Sequence, residues 1–193
     1  MARPGKGQGK RSQLRIIGGQ WRGRKLSFIP EPGLRPTTDR IRETLFNWLE
    51  PHIHGARCVD LFAGSGALGL EALSRGAACC DFVDSSAGAA RQIQQQLDAL
   101  GAEQQGSCHC GLAEQFLAQA SGGFDLVFVD PPFCGDLAAT TCSLLQNSGL
   151  LAAGALVYVE IASNDSPLDI PPGWSEHRAK TSGGVSYRLF AVD

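Results

Sequence analysis

Between residues 57 and 161 the chain alternates short runs rich in apolar residues with longer stretches whose apolar residues recur every three or four positions. The runs at 57–62, 78–84, 106–110, 124–130 and 155–161 predict strands, and the periodic stretches at 67–75, 87–100, 112–120 and 137–148 predict helices. Leu126-Val-Phe-Val129 has no polar face, so its strand must be covered on both sides. Alternation of this kind predicts an α/β, Rossmann-like fold: a mostly parallel seven-stranded sheet with helices on both faces. The end breaks the pattern, because 176–181, Gly183-Gly184 and 185–192 read as a C-terminal antiparallel hairpin closing the sheet edge.

The first forty residues follow a different rule. Residues 14–17, Gly18-Gly19 and 21–28 read as a small N-terminal β-hairpin studded with arginine. Pro30, Pro32, Gly33 and Pro36 make a linker that cannot be helical. Thr38 then caps a helix with Asp39 in its first turn, an apolar face of Ile41, Leu45, Trp48 and Leu49, and Pro51 as its stop. The expected organisation is a disordered basic tail at 1–13, a hairpin and linker at 14–37, and one domain at 38–193.

Charge sharpens that division. Eleven of the seventeen Lys and Arg lie in residues 1–42 beside only Glu31 and Asp39, so that segment carries +9 and the remainder −11. A basic arm on an acidic body suits a partner rich in phosphate, such as a nucleic acid, with Arg15, Arg22, Arg24, Lys25, Arg35 and Arg40 as candidate phosphate contacts. Trp21 either stacks on a base or pins the hairpin, and Arg40 and Arg42 have a second option in pairing with acids such as Glu43. The seven cysteines include no Cys-x-x-Cys pair, and neither Cys79-Cys80 nor Cys108-His109-Cys110 has a second cluster to complete a metal site. Buried reduced thiols and no metal are therefore expected. The N-terminus has no apolar signal core, and 150–162 is too short for a membrane span and is broken by Gly154 and Glu160. The chain reads as a cytoplasmic monomer without membrane association.

Two sites carry chemistry. Asp60-Leu-Phe-Ala-Gly-Ser-Gly-Ala-Leu-Gly69 ends the first strand of the alternating region and opens a helix in a G-x-G-x-x-G pattern. The glycines allow a sharp turn and close approach of a ligand, so Phe62, Ala63, Gly64, Ser65 and Gly66 are candidate cofactor contacts. Asp84, eighteen residues past Gly66, ends the next strand, where a carboxylate accepts ribose hydroxyls. A dinucleotide enzyme uses the same fingerprint for pyrophosphate. Asp60, four residues before Gly64, would put negative charge beside the ligand, which favours a cation such as the sulfonium of S-adenosylmethionine.

The second site is Asp130-Pro-Pro-Phe133, at the carboxyl end of a central strand. Two prolines fix the backbone and leave nearby carbonyls free to accept. Asp130 and the Pro131 carbonyl suit the two hydrogens of an exocyclic amine, Pro132 holds the turn, and Phe133 suits stacking on a base, a contact of about 1–3 kcal/mol. Together the two sites fit methyl transfer to the amine of a nucleic-acid base, with positioning as the main source of rate. Whether Asp130 also takes a proton is open.

At these residues the chain resembles the amino-group methyltransferases of the class I fold. Leu34-Arg-Pro-Thr-Thr-Asp-Arg-Ile-Arg-Glu-Thr-Leu-Phe-Asn-Trp-Leu49, with Arg15-Ile-Ile-Gly-Gly19 before it and Val185-Ser-Tyr-Arg188 after it, looks like the bacterial guanine N2-methyltransferases of 16S ribosomal RNA. The resemblance, over roughly residues 14–192, implies S-adenosylmethionine as donor and the N2 amine of a 16S guanine as acceptor, free or in an assembling small subunit. It implies Asp60, Phe62, Gly64 and Gly66 along the cofactor, Asp84 at its ribose, and 130–133 at the guanine. Leu112 stands where such enzymes often carry a polar residue for the adenine amine, leaving that contact to backbone near Leu112 and Ala113; Ser86 stands at a position that is commonly acidic. The alternatives are an adenine N6-methyltransferase of RNA or DNA, a nicotinamide-dependent oxidoreductase, and a non-catalytic RNA-binding protein. The residues alone do not separate guanine from adenine.

Overall fold

The computed structural model describes residues 12–29, 38–132, 136–165 and 168–193. Seven strands form the main sheet: β3 (Arg57–Asp60), β4 (Cys79–Asp84), β5 (Gly106–Cys110), β6 (Phe124–Val129), β7 (Leu151–Ala162), β8 (Trp174–Ser182) and β9 (Val185–Val192). Their order is β5-β4-β3-β6-β7-β9-β8, parallel except where β9 pairs antiparallel with both β7 and β8. The fold is thus the expected Rossmann-like sheet with its closing hairpin. Because β4 and β6 flank β3 on opposite sides, the chain reverses direction across the sheet there, and the carboxyl ends of β3 and β6 border one crevice.

Helices α1 (Asp39–Leu49), α2 (Ala67–Ser74) and α3 (Ala87–Leu100) share one apolar layer with Leu126, Phe128, Tyr158 and Tyr187 of the sheet. Helices α4 (Ala113–Leu117) and α5 (Leu137–Ser148) share the other with Val127, Val129, Val159 and Phe190. Caps explain the boundaries. Thr38 Oγ1 accepts from Ile41 N at 3.4 Å to start α1. Ser86 Oγ accepts from Gly88 N and Ala89 N to start α3, and Gly101, at φ 68°, ends it.

Several expectations need correction. In α1, Phe46 and Arg42 are buried together with Ile41, Leu45 and Leu49, whereas Trp48 is only partly buried and stacks on Tyr187 at 5.5 Å. β7 starts at Leu151, four residues before the expected strand, and α4 is five residues long where nine were expected. Cys58, Cys80 and Cys142 are buried, but Cys110 is exposed. Cys134 lies outside the described residues. No helix among the described residues is long and apolar enough to cross a membrane.

The largest departure is at the N-terminus. β1 (Ser12–Arg15) begins inside the segment read as a tail, whose residues 1–11 lie outside the described ones. It pairs with β2 (Lys25–Phe28), and Trp21 sits in the turn before β2, not in a strand. Leu14, Ile16, Trp21, Leu26 and Phe28 all enter the α1–α3 layer, each contributing about 1.5–3 kcal/mol on burial. Of the two options for Trp21, the structure takes the pin: the ring is buried and its backbone N–H donates to Ser74 Oγ.

Polar contacts set the register of that docking. Glu71, fully buried on α2, accepts from Ile17 N and Gly18 N at 2.8 Å each and from Arg75 Nε at 2.7 Å, with Arg42 Nη1 at 3.6 Å. Arg42 takes the pairing option, through Asp39 at 2.6 Å and the Arg15 carbonyl at 2.9 Å. Gly19, at φ 74°, lies so close to the Ser74 carbonyl that a Cβ would sit 1.8 Å from its oxygen.

Replacing Glu71 by Gln leaves Arg42 buried with less compensation and weakens the grip on 17–18. The expected loss is about 3 kcal/mol, measured from the urea midpoint at constant m. A loss below about 1 kcal/mol would assign the docking to apolar contacts alone.

Candidate active site

The carboxyl ends of β3, β4 and β5 bring the glycine loop, Asp84 and the 111–113 segment side by side. Ala63 N donates to the Val83 carbonyl, Gly64 N donates to Asp84 Oδ2 at 2.8 Å, and Gly111 N donates to the Asp84 carbonyl. Asp84 Oδ1 accepts from Ser86 N at 2.8 Å, so this carboxylate ties the loop to the start of α3. Gly64 and Gly66 have φ of 52° and 77°, conformations costly for other residues. A Cβ on Gly66 would lie 3.0 Å from Leu70 and 3.1 Å from Ile93. Phe62 is partly buried, and Ala63 and Ser65 are buried.

Asp60 lies deeper than its spacing suggests. It is 1% exposed rather than open to the crevice; Oδ2 accepts from Gly69 N at 3.2 Å, and Oδ1 has no hydrogen-bond partner. Burial pushes its carboxyl up from 3.8 to about 7; the Gly69 N–H opposes that rise and the Asp84 charge adds to it. A buried acceptor with one unused oxygen, beneath a glycine turn shaped for close approach, fits a ligand carrying a positive charge. Leu112 is 48% exposed with its N–H directed to Gln115 Oε1 at 3.3 Å, and Ala113 is buried. The Leu112 N–H is thus already engaged by a side chain.

Asp130 follows β6, which neighbours β3 with Asp60 opposite Phe128. It therefore stands two residues beyond that pair, at the level of the loop 62–64. Pro131 is buried and Pro132 exposed; Phe133 lies outside the described residues. The sequence reading missed a second carboxylate here. Val129 pairs with Val159, which sets Glu160 of β7 beside Asp130. Tyr158 donates its hydroxyl to Glu160 Oε2 at 2.7 Å, both groups are buried, and the hydroxyl pKa is raised by burial and by the charges of Glu160 and Asp130. The available signal was Glu160 itself, an acid inside an otherwise apolar strand.

Arg15, Arg22, Arg24, Lys25 and Arg40 are all exposed, on the hairpin and the first turn of α1. Arg15 meets Asp39 at 3.4 Å and Arg24 reaches the Ala99 carbonyl at 3.5 Å; Arg35 lies outside the described residues. A cavity of about 730 Å³ opens elsewhere, between α4 and the β4–β5 face, lined by Asp81, His109 and Phe116. It shares Leu112 with the rim but none of Asp60, Asp84 or Asp130.

Residues 14–191 match the family described as conserved hypothetical protein 95. Ribosomal RNA small subunit methyltransferase D of Escherichia coli is 51% identical over 178 residues, 92% of this chain and 89% of that one. The Haemophilus influenzae protein of the same name is 45% identical over 93% of this chain and 94% of its own. Among solved structures, yhhF from Escherichia coli superposes with a TM-score of 0.84 at 50% identity, covering 94% of this chain and 99% of that one. SMU.776, solved in complex with SAH, has the same fold at 12% identity and a TM-score of 0.73, over 98% of this chain and 58% of that one. The chain belongs to the conserved hypothetical protein 95 family and is a relative, over nearly its whole length, of the ribosomal RNA small subunit methyltransferases D.

Proposed function

We propose that the chain transfers a methyl group from S-adenosylmethionine to the exocyclic N2 amine of a guanine in 16S ribosomal RNA. The observation that carries this reading is the adjacency of β3 and β6, which sets Asp130 at one rim with the glycine loop. The relatives named as small-subunit rRNA methyltransferases support the substrate class. S-adenosylmethionine, when bound, supplies an electrophilic methyl on a sulfonium whose charge disappears on transfer. Gly64 and Gly66 would admit the nucleoside, Asp84 would accept from its ribose, and Asp60 would face its positive charge.

Asp130 and the Pro131 carbonyl would accept the two amine hydrogens and hold the nitrogen lone pair toward the donor, with Phe133 stacked on the base. Guanine presents donors at N1 and N2, whereas adenine presents an acceptor at N1. The second carboxylate, Glu160, standing beside Asp130 in the strand register, supports a base edge with two donors and so guanine. The exposed cations of the hairpin, with Arg35 and Arg40, would hold phosphates while the base is swung out, a step costing a few kcal/mol.

The direct test is tritiated methyl transfer to small-subunit RNA from cells lacking this protein. Label is expected in N2-methylguanosine, and label in N6-methyladenosine would overturn the acceptor assignment. Asp130→Ala should lower kcat by about 10²-fold or more while cofactor affinity stays near wild type. Equal loss of both would remove Asp130 from the acceptor pocket.

Asp60 generates a pH prediction. Between about pH 4 and 7 the folded chain keeps a proton on Asp60 that the unfolded chain has released, so its contribution to stability falls as pH rises and stays low above 7. Asp60→Asn should therefore raise the urea midpoint at about pH 8 and flatten the fall between pH 4 and 7. Cofactor binding to the wild type should tighten from about pH 6 to 8 and lose that dependence in the variant. A wild-type profile retained by Asp60→Asn would overturn the assignment.

A further inference from the structure

The acidic body contains only six Lys and Arg, and three of them, Arg178, Lys180 and Arg188, lie in the β8–β9 hairpin. Of the other three, Arg57 bonds the Gly122 carbonyl and lies over Phe124, Arg75 is tied to Glu71, and Arg91 is exposed on α3. β8 is the edge strand, and its residues from Ser175 to Thr181 are exposed. Lysine on an edge strand is by itself a common device against unwanted strand pairing. The local register here goes further.

Glu176 pairs with Phe190 and Arg178 with the next residue, Leu189, so His177 is an extra residue in a β-bulge. Phe190 faces the α4–α5 layer, whereas Leu189 and Tyr187 face the α1–α3 layer. Strict alternation from Trp174 would have put Arg178 and Lys180 on the side of Glu176. The bulge turns both to the opposite side, as cross-strand partners of Leu189 and Tyr187. That is the face on which α1 stacks Trp48 against Tyr187, and to which the basic hairpin docks. Arg188 remains on the other face, 3.4 Å from Glu176. Neither Arg178 nor Lys180 forms an ion pair among the described residues; the Arg178 side chain donates a hydrogen bond to the His177 carbonyl.

The same pairing fixes where these cations stand relative to the acceptor site. Lys180 is opposite Tyr187, Tyr187 is opposite Glu160, and Glu160 stands beside Asp130. One row thus crosses β6, β7, β9 and β8, and three strand spacings of about 4.8 Å separate Lys180 from Asp130, roughly 14 Å. We propose that Arg178 and Lys180 bind the sugar-phosphate backbone of the RNA that presents its base to Asp130, forming a second cationic contact across the pocket from the N-terminal hairpin. This rests on the RNA substrate assigned above. The N-terminal cations and the β8 cations then flank the acidic rim, so the strand is held on both sides of the nucleotide that leaves the stack.

The test measures binding and methylation of small ribosomal subunits from cells lacking this protein, at several salt concentrations. In R178A/K180A the slope of log affinity against log salt should fall by about 1.5, with KM raised about tenfold near 0.15 M salt. Its kcat and cofactor affinity should match wild type, and the exposed positions leave folding intact. Arg178→Lys should keep the wild-type slope, and Arg188→Ala, which removes a charge from the opposite face, should leave slope and KM unchanged. A wild-type slope and KM in the double variant would overturn the contact, as would an equal loss in Arg188→Ala. Failure of the wild-type chain to bind these subunits would instead overturn the RNA assignment, and this contact with it.

Discussion

The carboxylate of Glu71 is the interaction on which the arrangement depends. It sits in the second turn of a short helix whose amino end is the glycine loop and whose carboxyl end grips the basic hairpin. One eight-residue helix therefore fixes both the proposed cofactor turn and the proposed RNA arm. A buried acid is tolerable because two backbone N–H groups and two arginines converge on it. Glycines at 18 and 19 let the backbone come close enough for those bonds. The hairpin is thus part of the core and not a free arm, and its cations hold fixed positions relative to the crevice.

Asp60 shows the opposite bargain. Its burial disfavours the charged form more than the Gly69 and Phe62 N–H groups favour it, and Oδ1 has no hydrogen-bond partner among the described residues. A residue serving the fold alone would be better replaced by an amide or an apolar group. The acid makes sense where a positive charge arrives from outside, and its position beneath the glycine loop is where the proposed sulfonium ligand would approach. Asp84 differs, since both its oxygens already organise the loop and the start of α3.

Elements set by local chemistry were legible in the sequence. Thr38 as a cap, the glycine turn between β3 and α2, the apolar strands and the final Gly183-Gly184 hairpin need only neighbours along the chain. What was hidden depends on contacts distant in sequence. Trp21 is a core residue because Ser74 and the α1–α3 layer receive it, and Arg42 is buried because Glu71 lies across from it. Asp60 sinks because Gly69, on the next helix, turns its N–H back. Period-two alternation cannot reveal the bulge at His177, since that appears only when β8 is registered against β9.

Glu160 shows how such a contact bears on specificity. Asp130 follows β6 and Glu160 lies beside it on the parallel strand β7, where Tyr158 donates its hydroxyl to Glu160. The hydroxyl donates to one oxygen of the buried Glu160, so this acid is held in place beside Asp130. On the proposed reading, a base edge with two adjacent donors, as in guanine, would meet acceptors on both strands. Adenine would set the N1 lone pair against the same oxygens. On the proposed reading, Asp130 would hold the amine of either purine, and Glu160 on the neighbouring strand would supply the asymmetry that separates them.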